Sequence, residues 1–156
     1  DDASDGKGLM AHVRKQIRDA IVTAVTGLST TGTNVFRNRV YPIEQANLPG
    51  LCVFTRTEAV VFDTMTLARS IARNLEIMIE AYVVGTANYD NTLDQIAVEV
   101  EEALAANVTL SGLAKDVMVT AFEADFSGDG EQPVAIGRFT VLVEYRTKEN
   151  DVETAS

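Results

Sequence analysis

The stretch DFSGDGEQPVAIG, Asp125 to Gly137, decides between two kinds of fold. Oxygen-bearing side chains at Asp125, Ser127 and Asp129, followed by Gly130, match the opening of a calcium-binding loop, which sits between two helices. The twelfth position of such a loop needs a bidentate glutamate, and here it is Ile136. The flanks fail as well. DVMVTAFEADF precedes the stretch and PVAIGRFTVLVEYRT closes it and runs on. In the latter, Phe139, Val141, Val143 and Tyr145 alternate with Arg138, Thr140, Leu142 and Glu144, the period of a strand. Gly128 and Gly130 suit positive φ, Asp129 tolerates it, and Pro133 restarts an extended chain whose first amide needs no partner. The stretch therefore reads as the turn of a β-hairpin, with Asp125, Asp129 and Glu131 clustered at its tip.

Working back from that hairpin, YDNTLDQIAVEVEEALAAN carries Leu93, Ile96, Ala97, Val100 and Leu104 as an apolar stripe, which predicts a helix with Asp90 as N-cap. Glu99, Glu101 and Glu102 lie on its other side, a pattern read as a solvated face. Before it come three strand-like runs, VFRNRVYP, LPGLCVFTRTEAVVF and ARNLEIMIEAYVV. In the third, Leu75, Ile77, Ile79, Ala81 and Val83 alternate with Asn74, Glu76, Met78, Glu80 and Tyr82. The shared face of Glu76 and Glu80 is expected to meet solvent or a polar subunit contact. Further upstream, Val13, Ile17, Ala20, Ile21, Ala24 and Leu28 mark one face of a helix that Gly27 and STTGTN bring to an end.

The expected architecture is α+β, two helices packed on one face of a mixed, mainly antiparallel sheet, in the order α-β-β-β-α-β-β. The domain spans 10–147. Residues 1–9 read as a flexible extension or a leftover of cloning, and 148–156, KENDVETAS, as a loose tail.

Composition narrows the function. With 46% hydrophobic and 23% charged residues the 156-residue chain has enough apolar surface for a single core. No apolar run approaches the about 18 residues that cross a bilayer, so no membrane partner is expected. The net charge of −10 works against tight binding of a phosphate backbone, while an acidic wall lets a strand pass without sticking. Cys52 is the lone cysteine, lies in the apolar run GLCVF, and reads as an inert core thiol. His12 stands near a helix start without a second ligand type at metal spacing, and is read as a surface residue. GLSTTGTN lacks the lysine of a phosphate loop, and Glu101 and Glu102, adjacent on a helix, diverge. No catalytic residue, metal ligand or cofactor is expected.

Several phrases occur in a recognisable order: RKQIRDAIVTAVTGL, RVYPIEQANLPGLCVFT, TLDQIAVEVEEALAAN with TLSGLAKDV, and GEQPVAIGRFTVLVEYRT. Together, from Val13 to Thr147, they resemble minor tail proteins of long-tailed phages, in particular the lambda-type tail terminators of the U protein family. The resemblance implies a non-enzymatic virion protein at the head-proximal end of the tail, assembled in the bacterial cytoplasm. It implies a homo-hexameric ring that caps the tail tube protein, ends its polymerisation and presents a face to the head–tail connector or neck protein. DNA would pass through the ring without tight binding. A neck or tail-completion subunit of related fold and a small-molecule-binding α+β module are the alternatives. Head-to-tail rings need two different complementary patches per subunit. Arg56, Glu58, Phe62 and Arg69 on the hairpin between the second and third strands, and Arg138 and Glu144 on the last, are the expected subunit contacts. Charge reversal at Arg138 or Glu144 is expected to weaken the ring without unfolding the monomer. The acidic tip, Asp125, Asp129 and Glu131, is expected at a rim or neighbouring-ring contact.

Overall fold

Apolar residues at three- and four-residue spacing build two helices, and alternating ones build the sheet those helices cover. The computed structural model describes residues 11–37, 48–127 and 133–156. Helix α1 (Val13–Val25) buries Val13, Ile17, Ile21, Val22 and Val25. Strands β1 (Val35–Phe36), β2 (Gly50–Phe62) and β3 (Ser70–Val84) follow, then helix α2 (Tyr89–Ala105), a short 3-10 turn at Leu110–Gly112, and strands β4 (Asp116–Ser127), β5 (Val134–Lys148) and β6 (Asp151–Ala155). The six strands form one sheet in the order β1-β2-β3-β5-β4, with β6 paired to β5. β1 runs parallel to β2 and every other pairing is antiparallel. The fold is thus α+β with a mixed, mainly antiparallel sheet, as the sequence pattern predicts.

The hairpin reading of the opening stretch agrees with its flanks. β4 and β5 pair antiparallel up to Ser127 opposite Val134, with Asp125 opposite Ile136. Gly128, Asp129, Gly130 and Glu131 lie outside the described residues, as do 1–10 and the NRVYPIEQAN segment, 38–47.

One core joins the helices to the sheet. Leu93, Ile96, Val100 and Leu104 of α2 and the buried face of α1 pack with Leu51, Val53, Leu75, Ile77, Ile79, Val141, Val143 and Tyr145. These are the alternate residues of the central strands, so the period-two pattern identifies the core face correctly.

Three local expectations change. The tail is not loose: β6 pairs Thr147 with Ala155 and Lys148 with Asp151. β4 begins opposite Glu144, which leaves the end of β5 without a neighbour on that side, and β6 takes the vacancy. Gln16 of α1 holds it there by donating to the Glu153 carbonyl at 2.9 Å. A strand supported by tertiary hydrogen bonds and few apolar side chains leaves little pattern. In α2 the N-cap position is Asn88, without a side-chain capping bond, and Asp90 lies in the first turn. It accepts from the Asn91 amide there and still faces the positive end of the helix dipole. Finally, the Glu80 face is closed. Glu80 and Tyr82 are only 2% and 4% exposed. Tyr82 Oη donates to Glu80 at 2.6 Å and Arg138 Nε does so at 3.1 Å, which satisfies a carboxylate that alternation alone would send to water.

The turn end of the β4–β5 hairpin is sealed around Gly85. A Cβ there would lie 2.7 Å from the Phe126 ring and 2.9 Å from Pro133 Cβ, while the Phe126 ring stacks on Tyr89 with centroids 5.0 Å apart. Gly85→Ala is therefore expected to lower the unfolding free energy by about 1–3 kcal/mol through overpacking. Urea titration measures this, and an unchanged midpoint would show that the ring moves aside freely.

Candidate assembly surfaces

The β2–β3 hairpin ends in a loop, 63–69, beyond the last β3–β5 pair at Ser70 and Lys148, and this loop together with the outer half of β2, which β1 does not cover, forms an exposed arm. β2 loses its burial along its length: Gly50 to Val53 are buried, whereas Ala59 to Phe62 are exposed. Val60, Val61 and Phe62 are followed at the tip by Met65 and Leu67, which are 84% and 96% exposed. Clustered apolar exposure of this kind makes the tip a candidate contact surface. The base of the arm is firmly held. Asp63 N donates to Ser70 O at 2.7 Å, Arg69 clasps the Glu149 carboxylate through its amide and Nε, both at 3.0 Å, and Arg146 pairs with Asp63. The Arg69 guanidinium also covers the Phe62 ring, 4.6 Å from its centroid. Polar clamps at the base and apolar side chains at the tip make the arm a constructed projection.

Of the residues expected at subunit contacts on this hairpin, Arg56, Phe62 and Arg69 lie on its surface, Arg56 reaching Glu76 at 3.5 Å. Glu58 points inward. Its side chain is 7% exposed and receives four bonds: from Arg14 Nε at 3.2 Å and a terminal Arg14 nitrogen at 3.0 Å, from Arg73 at 2.7 Å, and from Tyr145 Oη at 2.5 Å. Arg73 in turn donates to Thr147 at 3.1 Å. Glu58 thereby fastens α1, β3 and β5 to the base of the arm. Burial opposes its ionisation, but the bonds from Arg14, Tyr145 and Arg73 outweigh burial and hold its carboxyl below the usual range. Burial and then Glu58 push the Tyr145 hydroxyl well above its ordinary value.

His12, read from sequence as a surface residue, is the N-cap of α1. Its Nδ1 accepts from the Arg14 amide at 2.9 Å, which requires the neutral imidazole. Burial, and then the charges of Arg14 and Arg73, keep its pKa below the ordinary histidine value.

On the other sheet face, Arg138 bridges Glu80 at 3.1 Å and Asp125 at 3.5 Å, with its side chain 24% exposed. It is held inside the subunit as much as it is displayed. Burial works against its charge, and the two carboxylates reverse the effect and raise its pKa. Glu144 is half-buried opposite Asn74 and Asp116. Asp125 is exposed near the hairpin end, and its tip companions Asp129 and Glu131 lie outside the described residues.

A second surface escapes sequence reading. Between α2 and β4 a cleft of about 200 Å³ is lined by Glu101, Leu104, Ala105, Val108, Val117 and Val119. That volume is below the roughly 300–1,000 Å³ typical of small-molecule pockets, and fits apolar side chains better than a metabolite. Val98 and Val108 are exposed beside it. α2 carries Asp90, Asp94, Glu99, Glu101 and Glu102 and has neither lysine nor arginine. Of these, Glu99 leaves the solvated face to accept from the Thr30 amide at 2.9 Å and its hydroxyl at 2.8 Å. Burial opposes its ionisation, but bonds from Gln95 and Thr30 bring its pKa below the usual value. Glu101 and Glu102 remain exposed. The sequence signal for this surface was Val98 and Val108 lying off the apolar stripe.

Among the described residues no three His, Cys, Asp or Glu side chains gather as a metal site, and no helix is long and apolar enough to cross a membrane. The family model for the phage minor tail protein U matches residues 12–134. Among solved structures the chain is similar to one from the virion of a native gene transfer agent particle, at 24% identity, covering 87% of this chain and 94% of that one with a TM-score of 0.44. No curated protein matches.

Proposed function

Because the chain belongs to the phage minor tail protein U family and so is a structural protein of a virion tail, we propose that it is a tail terminator. In this reading six copies form a ring that caps the tail tube at its head-proximal end, stops its polymerisation and offers the opposite face to the head–tail connector. The observation that carries the proposal is the clamped arm with an apolar tip, Met65 and Leu67, which has no role within the subunit and suits a partner in an assembly. Arg56, Phe62 and Arg69 on the arm, with Arg138 and Glu144 on β5, are the polar and aromatic contacts the ring would use. Asp125, with Asp129 and Glu131 beyond the described residues, would face a neighbouring ring. The charge of −10 suits a bore through which DNA slides without being held.

The test is growth of the tail tube. Purified tube subunits polymerising alone should continue to lengthen, and addition of this protein in amounts far below the tube subunit should arrest them. Tubes that lengthen equally with and without it would reject the terminator role; binding to the connector without effect on growth would move the protein to the neck.

A further inference from the structure

The arm and the cleft lie on different parts of the sheet. β2, which forms the arm, is near one edge, whereas β4, which forms one wall of the cleft, is the opposite edge in the order β1-β2-β3-β5-β4. We propose that the β2–β3 arm of one copy seats Leu67 and Met65 in the α2–β4 cleft of the next. The inference rests on the ring reading and specifies which two surfaces make it.

Charge and shape both favour a second copy as the occupant. The arm side carries Arg56 and Arg69 on the hairpin and Arg146 and Lys148 on the adjoining end of β5. Side chains of Arg56, Arg69 and Arg146 are 61%, 40% and 43% exposed, and each is paired with a local carboxylate, Glu76, Glu149 and Asp63. The cleft side has Glu101 in its lining and Glu102 beside it, on a helix without a positive residue, and Lys115 is offset by its neighbour Asp116. Its own carboxylates leave the arm near neutral, whereas cleft-to-cleft pairing would set two acidic helices against each other, so the acidic cleft takes the arm in preference to another cleft. A contact between two different patches is heterologous, which propagates head to tail and closes as a ring when the rotation per subunit divides a full turn. The cleft's size matches a knob of one or two apolar side chains, and the arm supplies them at its most exposed point.

Leu67→Cys and Val108→Cys, prepared as separate proteins, test the arrangement under mild oxidation. Native Cys52 is fully buried and does not compete. A disulfide-linked dimer forming only when the two variants are mixed, with the double variant giving a ladder up to the ring, is the expected result. Glu101→Lys with Glu102→Lys should weaken association at least about tenfold, and Arg56→Glu should restore part of it. Self-linking of Leu67→Cys alone, or its capture by tube protein in place of a second copy, would overturn the inference. Rings seen by native mass spectrometry without the mixed disulfide would also overturn it while leaving the ring reading intact. Absence of any association, even on tube ends, would defeat both.

Discussion

Glu58→Ala is expected to lower the free energy of unfolding by about 3–5 kcal/mol and Tm by roughly 10 °C. The carboxylate is 7% exposed between Arg14 and Arg73, and Arg73 is itself 9% exposed. Its removal leaves two guanidinium groups facing each other across α1 and β3, and orphans the Tyr145 hydroxyl, whose ring is in the core. Acid should expose the same group. The folded pKa of Glu58 lies below its ordinary value of 4.5, so the unfolded chain binds more protons in that range. Its contribution is complete above the unfolded pKa and is lost as pH falls through the folded one. Glu99 and Glu149 shift in the same direction and act in the same window. His12 is also depressed from 6.5, so its capping contribution is present above that value and lost on acidification below it. Denaturant titrations across pH should show stability falling first from His12 and then through the carboxylate range. In Glu58→Ala the second fall should be shallower; an unchanged profile would mean the network contributes nothing net.

Arg138→Glu should have the next largest effect, about 3 kcal/mol or more, and it acts on the monomer. It takes away the cation bonded to Glu80, which is 2% exposed, and brings a third carboxylate beside Glu80 and Asp125. Charge reversal here therefore reports folding before it reports assembly, contrary to the expectation from sequence. Glu144→Lys, on a half-buried residue farther along β5, should change stability by no more than about 0.5 kcal/mol and is the cleaner probe of ring formation. If thermal melts of Arg138→Glu match the parent, the Glu80 pairing is energetically idle.

Strand and helix identity were readable because the core needs apolar residues at a fixed period, and Leu75 to Val83 and Leu93 to Leu104 meet that need without interruption. The opening hairpin was readable because Ile136 cannot ligate calcium but does fit a strand. What depended on tertiary partners was not readable. Glu58 looks like any polar residue on an outer strand until Arg14, distant in sequence, is folded against it. β6 is a strand because β5 has a free edge there, and His12 is a cap because its Nδ1 reaches the Arg14 amide. The β2–β3 hairpin was legible as two strands and a turn, but the sequence reading named mainly charged contacts on it and missed the tip, where Met65 and Leu67 break the alternation and have no core to enter.

Electron microscopy of tail tubes mixed with this protein tests the central claim most directly. The account predicts a ring of six subunits on one end of each tube, with no further growth from that end. Bare tube ends, or protein attached along the tube wall in place of its end, would contradict it.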